Sequence, residues 1–129
     1  MIQNYDEWLA ENKHKGARVH PKVIYHKSNP IFREKIEKEG LKIMKGDSYM
    51  CHSPEKSCPP AIFGYTGDVD YYDSTYDDDV WQIDVAKIPN HEWFIDKEVG
   101  GHIQQAVVTY QNIPREAIKI IYKGSGKSL

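Results

Sequence analysis

Apolar positions in this chain fall into short runs of strand period, interrupted by two stretches that change period. "KVIYH" (22–26) alternates and is rich in β-branched and aromatic residues, which predicts a strand, and Pro21 forbids a helix running into it. The period then lengthens. "PIFREKIEKEG" (30–40) sets Ile31, Phe32 and Ile36 on one helical face, with Pro30 at the first helical position, Gly40 where a left-handed C-cap is wanted, and Leu41 packing the helix end. Upstream, "NYDEWLAENK" has a capping Asn and acidic first-turn residues, predicting a short helix over about residues 5–13. "DSYMCHSPEKS" predicts a short strand around Tyr49–Cys51, with Ser53 as N-cap and Pro54 opening a brief helix that Pro59 and Pro60 limit.

Residues 64–79, "GYTGDVDYYDSTYDDD", keep neither period and read as a mobile acidic, aromatic loop. "VWQIDV", "EWFID" and "IQQAVVTY" are strands, and "IPREAIKIIYK" is a turn leading into a last strand. Many strands with few, early helices make an α+β sheet domain, not a doubly wound parallel one.

Length and charge narrow the picture. A chain of 129 residues is one domain, 1–129, large enough to bury a core without staples. With 17 basic against 19 acidic residues and no long Lys/Arg run, binding a duplex mainly through its phosphates is disfavoured. The start "MIQNYDEWLAENK" lacks the basic-then-apolar run of a signal peptide, so a cytoplasmic location with Cys51 and Cys58 as thiols is expected. No apolar run approaches bilayer length, so no membrane partner is expected.

Three metal or phosphate motifs fail on their details. Asp68, Asp70 and Asp73 lack the Gly and terminal Glu of a calcium loop, and the stretch reads as a solvated lid. Cys51, His52 and Cys58 have no second ligand pair for zinc. "GSGKS" near the C-terminus has Ile121 where a P-loop has its first glycine, leaving 124–129 as a flexible tail after a core of about 22–123.

The Tyr25-His26 pair, where the strand runs out before the helix, is the most suggestive chemistry. Its bland reading is a pair of half-wet strand-end residues. The order of the pieces resembles the ADP-ribosyltransferase fold: a strand ending in Tyr-His, a helix closing in "EGL", the "SYMCHSPEK" strand-to-helix turn, the "WQIDV" strand and the terminal "IPREAIKII". The likeness covers about residues 22–123 and is nearest to small prokaryotic members, the DNA-targeting ADP-ribosyltransferase toxins and the tRNA 2′-phosphotransferases. It implies a small split antiparallel sheet with a few short helices, and NAD as the substrate.

By that resemblance, His26, with Tyr25 beside it, matches the first-strand residue that hydrogen-bonds the adenosine ribose. A neutral imidazole suits the task, offering one donor and one acceptor. Tyr49 matches the tyrosine that stacks on nicotinamide, a contact worth roughly 0.5–2 kcal/mol on a cationic ring; its plainer role is a core aromatic. Ser53 could line the same cleft or serve only as a helix cap. The third motif departs from the family. Where catalytic members carry a Glu that steadies oxocarbenium-like charge, the window reads Gln104, Gln105, Ala106, with Glu98 six residues before Gln104. The resemblance therefore implies either an ADP-ribosyltransferase, a glycosyltransferase acting on a nucleic acid or protein acceptor, or a silent module that binds NAD, ADP-ribose or a related nucleotide. A phosphotransferase is disfavoured, because around 41–45 only Lys42 and Lys45 could clamp a phosphate.

Overall fold

The computed structural model describes residues 15–43, 61–67, 76–96 and 106–128. They form one antiparallel sheet of seven strands: β1 (Lys15–Val19), β2 (Val23–Ser28), β3 (Ile62–Tyr65), β4 (Asp79–Asp84), β5 (Trp93–Asp96), β6 (Ala106–Thr109) and β7 (Ile118–Tyr122). The spatial order is β1-β5-β6-β3-β2-β4-β7. One α-helix, α1 (Arg33–Glu39), and three single 3-10 turns complete the described chain, an α+β domain that is mostly sheet. Among the described residues no helix is long and apolar enough to cross a membrane.

Alternation sorts the sheet into two faces. Ile24 opposes Ile83 and His26 opposes Trp81, so these four share a face. That face packs the main core of Ile24, Ile36, Ile62, Trp81, Ile83, Trp93 and Val107. Ala61, Phe63, Phe94 and Val108 form a smaller cluster on the other face. Each fully buried large apolar side chain contributes about 1.5–3 kcal/mol.

The sheet is thinnest in its middle. β2 and β4 share six registered pairs, whereas β2 and β3 share one, Tyr25 with Tyr65. A half-sheet of β1, β5, β6 and β3 thus meets one of β2, β4 and β7 along a narrow seam. Gly64 permits the approach, since a Cβ there would stand 2.5 Å from Ile24 Cγ2. At the outer edges, the pairings of both β1 and β7 carry a register shift. Lys15 and Lys119 sit on these edges, and irregularity plus lysine discourages pairing with another sheet.

Helix α1 departs from its expected face. Ile36 is buried, but Ile31 is 78% and Phe32 46% exposed. The Asn29 side chain accepts from Ile31 N and starts a 3-10 turn over Pro30–Phe32, whose three-residue period throws Ile31 and Phe32 outward. Which side of α1 meets the sheet is set by Arg33, whose Nε and Nη2 donate to the Asp79 carboxylate at 2.9 and 2.7 Å. The helix ends at Gly40, with positive φ as expected but with ψ extended at −169°. This carries Leu41 into a two-bond bridge with Ile113.

The acidic run and the tail also differ from expectation. Asp78 and Asp79, assigned from the sequence to a solvated lid, are buried. Residues 124–128, expected as part of a flexible tail, run back along this acidic segment. Gly124 N donates to Asp79 Oδ1 and Ser125 N to Asp77 Oδ2, each at 2.9 Å. Gly126 N donates to Asp77 O, and Asp77 N to Lys127 O. The Tyr122 hydroxyl donates to Asp77, which holds that carboxyl below its usual range, with Ser125 adding to the effect. Backbone amides need acceptors, and here the carboxylates supply them. Gly64 and Tyr65, placed in the loop by the sequence, belong to β3, and β1, "KGARV", has no strand signal in the sequence pattern. The expected helix over 5–13, the strand near Tyr49–Cys51 and most of the acidic loop lie outside the described residues.

Candidate functional site

His26 sits on β2 at the seam. Its Nδ1 lies 2.6 Å from the carbonyl oxygen of Phe63 on β3. A carbonyl only accepts, so Nδ1 carries the proton and donates. The neutral ring is therefore the Nδ1–H tautomer, which leaves the Nε2 lone pair as an acceptor. The side chain supplements the single Tyr25–Tyr65 pair in tying the half-sheets together. Trp81 opposes His26 on β4 and is itself fixed by donation from Nε1 to Ser28 Oγ at 2.9 Å.

Desolvation lowers the pKa of His26 below its ordinary 6.5, and the hydrogen bond to Phe63 O offsets part of that shift. Below pH 6.5 the unfolded chain thus takes up protons more readily than the folded one. The contribution to stability is complete above that pH and is lost as pH falls through the folded pKa. Urea titrations from pH 8 to 4.5 are expected to show a midpoint that falls below pH 6.5 more steeply in wild type than in His26→Asn. Parallel curves would contradict the burial of a neutral ring.

Tyr25 points the other way. It pairs with Tyr65, and Tyr65 with Ala106, so these three form a row on the face opposite His26. Continuing the β5–β6 register by one residue brings Asp96 opposite Ala106, and Asp96 pairs in turn with Lys15. Burial, then the nearby Asp96 charge, push the Tyr65 hydroxyl up to about 12, so it stays a neutral donor at any physiological pH. Lys15 Nζ lies 4.5 Å over the Phe94 ring. Next along β2, burial pulls the Lys27 pKa down while Asp78 opposes the shift.

The resemblance groups Tyr25 with His26, whereas the pleat separates them. It also separates His26 from Ala106, the described member of the third-motif window. Ala106 is buried beside Tyr65, so a carboxylate placed there would be enclosed on the Tyr25 face near Asp96 and not presented beside His26. Tyr49, Ser53, Glu98, Gln104 and Gln105 lie outside the described residues. Asp96 carries no signal of its own within the "EWFID" strand, and Tyr65 falls in the stretch the sequence assigns to the acidic, aromatic loop; pairing across β5, β6 and β3 makes them neighbours. No family model matches this chain, and no curated protein matches it in sequence.

Proposed function

We propose that this chain binds NAD or a related nucleotide at the β2–β3 seam beside His26. In the leading reading it is an ADP-ribosyltransferase-like protein that transfers ADP-ribose to a nucleic acid or protein acceptor. The observation that carries the proposal is the geometry of His26. Its tautomer is set by Phe63 O, and Nε2 forms no hydrogen bond among the described residues, so a sugar hydroxyl can donate to it without desolvating a charge.

His26→Ala is expected to weaken NAD binding in calorimetry by about 1–2 kcal/mol, the scale of hydrogen bonds lost in a partly buried site. Because His26 also ties the seam, the comparison includes His26→Asn, whose amide keeps a donor for Phe63 O but lacks the Nε2 acceptor. Equal affinity for wild type and both variants would remove His26 from the site.

A second reading, a module that binds the nucleotide without chemistry, is favoured by one observation: at Ala106 the described part of the third-motif window offers no charge to an oxocarbenium-like centre. Adenine-labelled NAD separates the two. Label transferred to an acceptor, or nicotinamide released, belongs to the enzyme; binding with neither belongs to the module.

A further inference from the structure

Among the described residues two buried polar side-chain atoms have no hydrogen-bond partner: Trp93 Nε1 and Thr109 Oγ1. Their residues are 1% and 0% exposed. Phe94 opposes Val108 and Ile95 opposes Val107, so extending the register by one residue sets Trp93 opposite Thr109. Both lie on the main-core face, since Trp93 and Val107 belong to that cluster and Thr109 follows Val107 at strand period. Directly opposed residues on one face have Cβ atoms about 4.5–5.5 Å apart. An indole N–H and a hydroxyl thus belong to neighbouring residues on one face, both enclosed in an apolar surround.

This end of the β5–β6 pair is closed by polar side chains. Gln111 Oε1 accepts from Glu92 N at 2.9 Å, and His91 Nε2 lies 2.6 Å from Asn112 O. The strand ends are therefore capped while the two core atoms beneath them are not. Native proteins bury few unpaired polar groups, and a pair of them on facing residues is better explained by a shared partner than by two separate deficits. An enclosed water needs about two to four polar neighbours.

We propose that Trp93 Nε1 and Thr109 Oγ1 bind one internal water, which accepts from the indole N–H and exchanges a hydrogen bond with the threonine hydroxyl. The site is independent of the nucleotide reading. It makes the β5–β6 end of the core a hydrated joint instead of a dry one, held by a solvent molecule that other apolar parts of the core do not need.

Thr109→Val decides the matter by the sign of its effect, because valine preserves shape and removes only the hydroxyl's polarity. If the hydroxyl serves a water, the variant leaves that water short of a partner, and Tm falls by about 3–6 °C for a domain of this size. A hydroxyl without any partner would give the opposite sign, because its removal relieves a buried polar group. The direct measurement is on wild type: the Trp93 indole proton, assigned by the resonance missing in Trp93→Phe, is expected to show a cross-relaxation peak to a water with a residence time longer than molecular tumbling. A rise in Tm on Thr109→Val, or an indole proton with no such peak, overturns the site.

Discussion

Arg33→Ala is expected to lower the free energy of unfolding by about 3 kcal/mol, toward the low end of the range for breaking a buried ion pair because Arg33 keeps 28% of its side chain in solvent. Asp79 is fully buried and accepts two hydrogen bonds from Arg33 and one from Gly124 N. Removing the guanidinium strands that carboxylate in the core with one amide partner. The loss also reaches the returning C-terminal segment, because Arg33 Nη2 donates to Gly124 O at 3.1 Å. Asp79→Asn is expected to cost less, since the partly exposed Arg33 can turn to water. Urea denaturation measures both. A loss under 1 kcal/mol for Arg33→Ala would show that the pair does not anchor α1 and the chain end to β4. Against a typical total of 5–15 kcal/mol the expected loss is large.

Gly40→Ala is the second substitution expected to weaken the fold strongly, by about 2–4 kcal/mol. Its φ of +79° is one that a side chain disfavours, at about 1–2 kcal/mol. The added Cβ would also run into Ile113 O and stand 2.8 Å from Arg115 N, both backbone atoms that cannot swing away. Relief requires moving Leu41, which exchanges 2.9 Å hydrogen bonds with Ile113 in both directions. Gly126→Ala serves as the control. Its φ of +76° is similar, but its nearest neighbour is a Pro30 side-chain carbon at 3.5 Å, so only the conformational cost applies. Urea midpoints rank the two variants. Equal losses would mean that the conformation, not the contact with the 113–115 segment, governs position 40.

Several elements follow from local chemistry, and for these the sequence sufficed. Val23–His26 carries its strand in its own alternation, while pairing with β4 extends it through Ser28 past the point where the sequence ends it; Pro30 and Gly40 punctuate the helical segment, and the three apolar runs after residue 79 become β4, β5 and β6. The α+β class follows from counting those runs. Leu41 packed as expected because an apolar residue just past a helix end has the core as its nearest shelter.

Other features depend on partners remote in sequence. β1 (Lys15–Val19) has no apolar rhythm and forms only because β5 offers an edge to pair with. Asp77 and Asp79 read as solvated from the sequence, but Arg33 and the amides of 124–126 supply their donors, the same pairing that fixes the expected tail. In the candidate site, residue type marked His26, but its tautomer is decided by Phe63, 37 residues away. The pleat puts Tyr25 on the opposite face, and the row of Tyr65, Ala106 and Asp96 exists only through register. What the sequence determined by itself is therefore the strand and helix segments whose stabilising neighbours lie within a few residues. Tertiary structure decided which face, which partner and which protonated nitrogen, because a hydrogen bond or a buried charge is specified by both ends and the sequence places those ends far apart.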